Sequence, residues 1–472
     1  MQLTSTQAID RLTLGATPGL NEEVHRLGVT DWLTGQLTLS DEPAGVISYI
    51  SGLDVMTLEP GQLFKRYWLP LNQRRDPEVQ KRNNNIMRNL YIQTAAARLW
   101  RASESPWQLR ELLVDFWFNH FNVFVKKGLC ALWTGNFENR AIRPHVLGKF
   151  SDLLLATASH PAMLFYLDNW LNTRPGGPGK GGVKNGFNEN YARELMELHT
   201  VGLNYTQDDV IGATHLLTGW GLQRTTGFHF YPGRHDFSSR TILGRRFAGG
   251  KTAIIDFLNF LAAHPDTARH VSYRLAQYLA ADRPSVDLVK HMQARFLDSN
   301  GDLKAVTSAM IEHPDFALAA GRRDKFRTPY RYVLAVLRAS GLSPENSRPL
   351  IAILQRLGQP LYHCVTPNGW ACTQDEWLSP DSLTARLNFA IAIGGGWLPI
   401  ANPSGKPLLN HGMNSQRGSR PQKRRGNDPV DMETVLSAIG NIIPRNDIAV
   451  AKLAPQRLKA AVLLGSPQMQ YC

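Results

Sequence analysis

The stretch from Trp107 to Phe121 reads WQLRELLVDFWFNHF and decides the fold class. Between Leu109 and Phe116 its apolar residues recur at spacings of three and four, which places them on one face of an α-helix. The same period returns along most of the chain, whereas alternating, glycine-punctuated sequence is confined to residues 228–250. We therefore predict a mainly α protein, a large multi-helix single domain (residues 1–472) with long loops and at most a small β-hairpin.

The composition is that of a folded globular protein with a basic surface. Of the 472 residues, 43% are hydrophobic and 19% are charged, and 52 basic against 39 acidic residues give a formal net charge of +13. Such a charge favours anionic partners, for example a glycan or another anionic polymer. No run approaches the roughly 20 apolar residues that cross a bilayer, so we expect no membrane span. The start, from Met1 to Ser5, has no signal-peptide pattern, which predicts a cytoplasmic protein.

Two segments interrupt the helical pattern. Residues 173–186 contain six glycines and are predicted to form a mobile loop. Residues 400–430 are predicted to form a flexible loop, with a basic run from Arg417 to Arg425 that contains no acid. This run has no interleaved aromatic residue, which argues against a specific nucleic-acid site.

The four cysteines show neither the short paired spacing of a zinc site nor the density of a disulfide framework. Reduced thiols are therefore expected. Cys364 and Cys372 are eight residues apart and can pair only if the loop between them folds back, so the sequence leaves this pairing open.

The strongest candidate site is the polar segment from Asn188 to His199. On a helical wheel, five of its polar side chains share about 140° of arc. These side chains are Glu189, Asn190, Arg193, Glu194 and Glu197. Clustered carboxylates raise one another's pKa, which suits one of them as an acid and another as a base. His199 falls on the apolar side, where a histidine is more often a buried core residue than a ligand.

An ordinary exposed helix explains the same pattern. Glu189 and Arg193 are four residues apart, and so are Arg193 and Glu197, as in the ion pairs that stabilise a solvated helix face. Periodicity alone favours this structural alternative over a catalytic face.

Three further polar groups lie beside aromatic residues or at breaks in the helical pattern. Asn119 and His120 lie at the end of the predicted helix Trp107–Phe121, within an aromatic cluster. A histidine in such a place can relay protons, bind a metal or pair with a backbone carbonyl. Asp168 precedes the glycine-rich loop, either as another acid or base or as a turn cap. His235 and Asp236 are adjacent, which is compatible with catalysis or metal binding but is a weak signal alone.

At these motifs the sequence resembles the bacterial domain-of-unknown-function family 1800 over nearly its whole length. The motifs that carry the resemblance are Arg11–Gly19, Phe116–Phe121, Ile142–His145, Leu167–Asn169, Asn188–Gly202, Leu216–Trp220, Arg234–Asp236, Thr366–Trp370, Trp377–Asp381 and Leu464–Pro467. One departure is visible. Phe118 stands where the family has a polar residue, often histidine, which argues against a site that needs two histidines there.

The resemblance implies a mostly helical bacterial protein without an established activity. Members are often encoded beside a sulfatase-related, hydrolase-like partner and are often exported, which implies glycan or cell-surface chemistry by association. The shared segments are polar and lie at helix ends and loops. The resemblance therefore favours a functional role for the segment Asn188–His199 over the structural alternative.

These patterns lead to the hypothesis of an enzyme, a hydrolase or lyase that acts on a carbohydrate-like polymer. Glu194 and Glu197 are the predicted acid and base, Glu189 or Asp168 can substitute for either, and His120 is a predicted proton relay. The predicted substrate contacts are Arg193, Asn119, Asn190, Trp220, His235, Asp236 and Trp370. The sequence identifies no cofactor.

Two other functions stay open at this point. One is a metal-dependent enzyme, whose candidate ligands are His120, Glu194, Glu197, His199 and His235. The other is a non-enzymatic scaffold that binds an anionic partner through its basic surface.

Overall fold

A computed structural model describes residues 3–38, 40–68, 77–176, 186–401 and 428–472. Within these ranges the protein is mainly helical, which confirms the predicted fold class. Most of the two predicted loops, 173–186 and 400–430, falls outside the described residues.

Helices α1 to α13 lie in the part of the chain that precedes the strands. Their bounds are α1 Ser5–Leu12, α2 Leu20–Leu27, α3 Val29–Gln36, α4 Ala44–Ser51, α5 Asp54–Thr57, α6 Pro60–Tyr67, α7 Pro77–Glu104, α8 Gln108–His120, α9 Cys130–Asn136, α10 Phe150–Ala158, α11 Pro161–Tyr166, α12 Asn190–Glu194 and α13 Gln207–Leu216. Two π-helical turns continue α9 and α12 without a break, at Phe137–Ile142 and Leu195–His199.

Helices α14 to α25 follow the strands. Their bounds are α14 Lys251–Ala263, α15 Pro265–Leu279, α16 Val286–Asp298, α17 Leu303–Glu312, α18 Pro314–Arg322, α19 Pro329–Ala339, α20 Arg348–Arg356, α21 Pro380–Gly394, α22 Met432–Ile439, α23 Arg445–Leu453, α24 Lys459–Leu464 and α25 Pro467–Gln470. Short 3-10 turns lie at Arg143–His145, Asn169–Leu171, Pro232–Arg234, Gln374–Glu376 and Gln456–Leu458.

The strands form two small antiparallel hairpins. Strand β1 (Trp220–Gln223) pairs with β2 (Gly227–Phe230), and β3 (Arg240–Ile242) pairs with β4 (Arg245–Phe247). The predicted hairpin region, 228–250, thus contains the second hairpin and the return strand of the first.

Three helices begin at a His-Pro pair, and the local chemistry explains why. The Nδ1 atoms of His160, His264 and His313 each accept the backbone N–H two residues on, at 3.2 Å. The proline that follows each histidine needs no hydrogen-bond partner in the first helical turn. These imidazoles therefore cap α11, α15 and α18.

The core is continuous along the chain. Buried apolar side chains from Ala8 to Met469 form one connected cluster. Helix α8 is buried on nearly every side, and every residue of α19 is buried. Trp117 and Trp133 are completely enclosed, so these tryptophans serve packing. The single-domain organisation itself stays a prediction.

One predicted helix is interrupted. The Arg143-Pro144 pair suits a first helical turn and predicts a helix over residues 143–156. The chain instead makes a 3-10 turn at Arg143–His145 and restarts as α10 at Phe150. Between them Lys149 forms an isolated β-bridge with Asp302, and Leu303 donates its N–H to the carbonyl of Gly148. A tertiary contact thus replaces the helical hydrogen bonds at this point.

The four cysteines are buried free thiols, so Cys364 and Cys372 are not paired. No helix of the described residues is long and apolar enough to cross a membrane.

Candidate functional site

The polar segment Asn188–His199 is not one regular helix. Helix α12 ends at Glu194, and the backbone continues as a π turn from Leu195 to His199. A π turn closes hydrogen bonds five residues apart, so it takes up an extra residue and changes the direction of the side chains after it. A uniform α-helical wheel therefore does not describe the backbone after Glu194, although it places Glu197 on the more exposed side and His199 on the buried side, where the structure has them.

Glu189 and Arg193 form an exposed ion pair. Their side chains are 3.1 Å apart and are 40% and 38% exposed. Gln207 at the start of α13 bridges the pair, accepting from Arg193 at 2.9 Å and donating to Glu189 at 3.0 Å. For these two residues the structure matches the ordinary salt-bridged helix that the sequence left open.

Glu194 and Glu197 are in a different state. Glu197 accepts a hydrogen bond from the hydroxyl of Tyr205. The half-buried Glu194 carboxylate has no hydrogen-bond or ion-pair partner among the residues that the structure describes. Burial and the neighbouring charge of Glu197 raise the pKa of Glu194, and Arg193 only partly opposes them. Glu194 is therefore the one carboxylate of this segment that is both shielded from solvent and unpaired within the described chain.

Asp168 lies beside the start of α12. Asn190 donates its side-chain N–H to the carbonyl of Leu167 at 3.3 Å, which ties the turn Leu167–Asn169 to this helix. Asp168 has a positive φ of 60° and pairs with the Lys127 ammonium at 2.7 Å. Asn190, four residues before Glu194, thus contacts the turn that carries Asp168, while the Asp168 carboxylate itself is engaged by Lys127.

Asn119 holds the backbone of Trp370 at two points. Its side-chain N–H donates to the Trp370 carbonyl and its side-chain oxygen accepts the Trp370 N–H, each at 2.7 Å. Gly369 has φ +72°, and a Cβ there would lie 2.3 Å from the Asn119 carbonyl oxygen, so only glycine fits this approach. The side-chain amide of Asn119 thus positions the backbone of Trp370, while the Trp370 side chain stays partly exposed.

His120 and His199 lie in the core with His270. His120 Nε2 is 3.1 Å from the carbonyl oxygen of His199, and both rings are buried. Burial and the neighbouring histidines His199 and His270 hold the pKa of His120 well below its usual range. The described residues contain no group of three or more His, Cys, Asp or Glu side chains that could hold a metal ion. The metal-dependent alternative stays a prediction.

Trp220 and His235 are also built into the core. The indole N–H of Trp220 donates to the Ala158 carbonyl at 2.9 Å, and its ring is buried. His235 Nδ1 donates to the Thr218 carbonyl at 2.7 Å, while its Nε2 accepts the Gly250 N–H at 2.8 Å. Both side chains are thus engaged within the core, and their role in substrate binding stays a prediction.

Asp236 pairs with His215 rather than with its sequence neighbour His235. The distance from His215 Nδ1 to Asp236 Oδ2 is 2.6 Å, and Arg240 Nη2 lies 2.8 Å from the same oxygen. Burial opposes ionisation, but hydrogen bonds from His215, Ser238 and Arg240 lower the pKa of Asp236. Sequence reasoning missed His215 because no short motif links it to a carboxylate 21 residues away.

A narrow cleft of about 30 Å³ lies behind Asn119 and Trp370. Its floor is polar: Arg98 donates to Asp115, and Tyr278 donates to the other oxygen of Asp115 at 2.6 Å. The space holds about two water molecules, so no sugar ring fits without rearrangement. Sequence reasoning missed this group, because its members come from helices far apart in the chain.

A wider cleft of about 550 Å³ lies between α2, α3 and the junction of α7 with α8. Trp32 and Trp107 form part of its wall, and Glu104 and Arg338 line it as well. Its size is that of a small-molecule site, but none of the predicted site residues lines it.

These features define a large, mainly helical protein whose predicted polar motifs lie partly on α12 and at the end of α8 and partly in the core around Trp220 and His235. The chain belongs to the family described as "Protein of unknown function (DUF1800)", whose model matches residues 7–471. The resemblance seen in the sequence is thereby confirmed. No curated protein and no solved structure matches the chain. Function is therefore argued from the site alone.

Proposed function

We propose that this protein is an acid–base enzyme, a hydrolase or lyase that cleaves an anionic carbohydrate-like polymer at α12 and the π turn after it. The state of Glu194 carries the proposal. It is a half-buried carboxylate with a raised pKa and no partner among the described residues, on the polar segment Asn188–His199.

Glu194 is the general acid in this proposal. An acid catalyst must still hold its proton near the working pH, and burial together with Glu197 favours the protonated form of Glu194. No hydrogen bond or ion pair within the described chain competes for that proton. Glu194 is thus free to protonate a leaving oxygen.

Glu197 is the partner base or nucleophile. The Tyr205 hydroxyl donates it a hydrogen bond, which fixes the position of the carboxylate. Two carboxylates on one short segment in unlike environments, one unpaired with a raised pKa and one held by a tyrosine hydroxyl, suit the separate acid and base roles of glycan cleavage. Glu189 is engaged by Arg193 and Gln207, so it is less suited to either role.

The substrate class is inferred from the net charge and from two predicted substrate contacts that reach the surface, Trp370 and Asn190. The net charge of +13 favours a polyanion, and the partly exposed Trp370 offers a face on which a sugar can stack. Asn190, which is exposed, is proposed as a polar substrate contact. A sulfated polymer would also suit the sulfatase-related partner that the family resemblance implies.

The test is a screen of purified protein against soluble polysaccharides with and without carboxylate or sulfate groups. Hydrolysis is measured by the appearance of reducing ends, and elimination by the ultraviolet absorbance of the unsaturated product. On any polymer that is cleaved, Glu194→Gln should lower kcat by about 100-fold or more, since a lost acid–base catalyst has this effect.

Glu189→Gln is the matched control, because it lies on the same short segment and changes the same functional group. It should leave kcat within a few-fold of the unmodified protein. Equal activity of the unmodified protein and Glu194→Gln would refute the role of Glu194. Cleavage of neutral but not anionic polymers would refute the substrate class.

A further inference from the structure

The wide cleft between α2, α3 and the junction of α7 with α8 is lined by charged, aromatic and apolar side chains. Its volume of about 550 Å³ is sufficient for a small molecule or for the first residues of a peptide. The described residues that line it include none of the segment Asn188–His199, so a ligand in this cleft can be studied separately from the proposed cleavage site.

Glu104, the last residue of α7, places a fixed carboxylate in the cleft. Its two oxygens accept hydrogen bonds from the hydroxyls of Ser103, at 2.9 Å, and of Ser343, at 3.1 Å. The side chain is only partly exposed, and it has no ion-pair partner in the described part of the chain. The carboxylate is thus held in position, while its negative charge has no cation in contact with it.

The electrostatic balance of the cleft is negative, although the protein is basic. Glu23 and Asp31 are exposed and line the cleft together with Glu104, whereas Arg338 is the single basic side chain among the described lining residues. Neither Glu23 nor Asp31 has a side-chain partner within the described ranges. Three carboxylates against one guanidinium, in a protein with a net charge of +13, favour a cationic ligand here.

Arg338 is engaged mainly with the backbone. Its Nε donates to the carbonyl of Gly15 at 2.7 Å, and its Nη1 donates to the carbonyls of Ala102 and Ser103 at the C-terminal end of α7. Its Nη2 has no hydrogen-bond partner among the described residues and is not fully enclosed. Arg338 therefore satisfies the carbonyls at the end of this helix and keeps one donor for the cleft.

Trp32 contributes a second free donor. It is only 8% exposed, and its indole N–H has no hydrogen-bond partner within the described residues. Unlike the indole nitrogen of Trp117, this nitrogen is not sealed inside the core. Because Trp32 lines the cleft, its N–H is accessible from there. A largely buried donor without a partner is costly, so a ligand that brings an acceptor to it gains affinity.

Aromatic and apolar side chains form the rest of the wall. Trp107 is partly exposed, and its indole N–H donates to the Asp41 carbonyl at 2.9 Å, which fixes the ring. Leu20, Leu27 and Leu342 line the cleft as well. An aromatic ring attracts cations, and leucines pack against an apolar group, so this wall suits an organic cation rather than a metal ion.

We propose that this cleft binds a protonated amine that stands next to a carbonyl group and an apolar side chain, which is the chemistry of a peptide N-terminus. The ammonium pairs with Glu104, and the carbonyl oxygen accepts hydrogen bonds from Trp32 Nε1 and Arg338 Nη2. The apolar side chain packs against Trp107. The exposed carboxylates Glu23 and Asp31 add attraction for the cation.

The first experiment compares four ligands that share a phenyl ring, by isothermal titration calorimetry at about pH 6. L-Phenylalaninamide, whose amine is protonated, should bind. The neutral N-acetyl-L-phenylalaninamide and the anionic N-acetyl-L-phenylalanine should bind about 10-fold more weakly or less, because they lack the charge that pairs with Glu104. 2-Phenylethylamine keeps the ammonium but lacks the carbonyl, and should bind about fivefold more weakly. No binding of L-phenylalaninamide at millimolar concentrations, or equal binding of its N-acetyl form, would overturn the proposal.

The second experiment locates the binding site with isosteric variants. Glu104→Gln should weaken binding of L-phenylalaninamide by about 10-fold or more, since it removes a charge-assisted hydrogen bond. Asp31→Asn should weaken it by about twofold or less, because that carboxylate is exposed. Glu22→Gln is the matched control, since Glu22 is adjacent to Glu23 on α2 but does not line the cleft. An unchanged affinity in Glu104→Gln, or an equal loss in Glu22→Gln, would show that the amine does not bind here.

Trp32→Phe tests the indole donor. It should weaken binding of L-phenylalaninamide by about fivefold but leave the affinity for 2-phenylethylamine unchanged, because only the first ligand has a carbonyl for the N–H. The second ligand thus controls for any change in the shape of the cleft. Equal losses for both ligands would contradict the role of the indole N–H. These measurements record binding of an amine, so they succeed or fail independently of polysaccharide cleavage at Glu194.

Discussion

Each of the two π turns in the described part of the chain carries a glutamate, and the two glutamates are in opposite states. On the first, Phe137–Ile142, Glu138 is 1% exposed and is surrounded by Arg98 at 3.1 Å, the Tyr362 hydroxyl at 2.8 Å and Arg143 at 3.9 Å. On the second, Leu195–His199, Glu197 has a tyrosine partner but no ion pair within the described chain, and Glu194 just before it has neither.

The difference distinguishes a carboxylate that stabilises the fold, Glu138, from a carboxylate that is available for chemistry, Glu194. A buried carboxylate is stable only when cations and hydrogen-bond donors replace its water, and Glu138 has both. Arg193, which lies just before the second π turn, pairs with Glu189 instead. Glu194 therefore stays undercompensated, and such carboxylates concentrate at functional sites. Four predictions test this contrast, from the largest expected effect to the smallest.

Arg98→Met should cause the largest loss of stability. Arg98 is buried and contacts both Asp115 and Glu138, so its removal leaves two carboxylates without their main cation. Breaking a buried ion pair in this way costs about 3–5 kcal/mol. Urea denaturation followed by circular dichroism measures the change.

The paired variant Arg98→Met with Glu138→Gln is the control. Removing the two opposite charges together should recover part of the lost free energy of unfolding. A cost below about 1 kcal/mol for Arg98→Met alone would show that the first π turn is not held by its charges.

Acid should destabilise the protein through His199. Burial, followed by the charge of His270, lowers the pKa of His199 from its ordinary 6.5 to about 3. Below pH 6.5 the His199 imidazole is therefore protonated in the unfolded chain but stays neutral in the folded protein. The free energy of unfolding falls as pH falls below 6.5. At pH 4 the loss from this residue is on the order of 3 kcal/mol.

His199→Gln removes this titration. The free energy of unfolding of the variant should fall less steeply between pH 6.5 and 4 than that of the unmodified protein. Parallel curves for the two proteins would contradict the assigned cause.

Much of the fold could be predicted because it depends on local pattern. The period of three and four in WQLRELLVDFWFNHF predicts α8 to within a residue at each end, and the Thr206 cap with Asp209 predicts the start of α13. The π turns could not be predicted in this way, since tertiary contacts decide them. His120 Nε2 contacts the carbonyl of His199 from 79 residues away.

The candidate site was predictable only in part, for the same reason. Sequence separation is a poor guide to which side chains meet. Asp236 contacts His215, which is 21 residues away, whereas the adjacent residue His235 contacts the backbone carbonyl of Thr218. The group of Arg98 and Asp115 joins two helices and carries no short motif. Glu194 was found because carboxylates clustered on one short segment are visible in the sequence itself.

Glu194→Gln should change the free energy of unfolding only slightly, but the direction in which this change depends on pH is diagnostic. Because the folded state raises the pKa of this carboxyl above its ordinary 4.5, the folded protein binds the proton more tightly than the unfolded chain does. The unmodified protein therefore loses stability relative to the variant as pH rises from about 4.5 through the folded pKa, and the difference then levels off. Since the side chain is only half-buried, solvent screening keeps this difference below about 1 kcal/mol. A constant difference from pH 4 to 8 would contradict the raised pKa.

Arg193→Met should have the smallest effect on stability, about 0.3–0.5 kcal/mol, because its ion pair with Glu189 is exposed and spaced four residues apart. The effect of Arg193→Met on the pH dependence of activity should be separate from this loss of stability. Arg193 opposes the burial and the Glu197 charge that raise the pKa of Glu194, so its removal should raise that pKa further. If Glu194 is the general acid, the alkaline limb of the activity profile should move to higher pH in Arg193→Met. The matched variant Glu189→Gln, which breaks the same ion pair but leaves the cation in place, should not move it in that direction. An unmoved limb in Arg193→Met would show that the acid is another group.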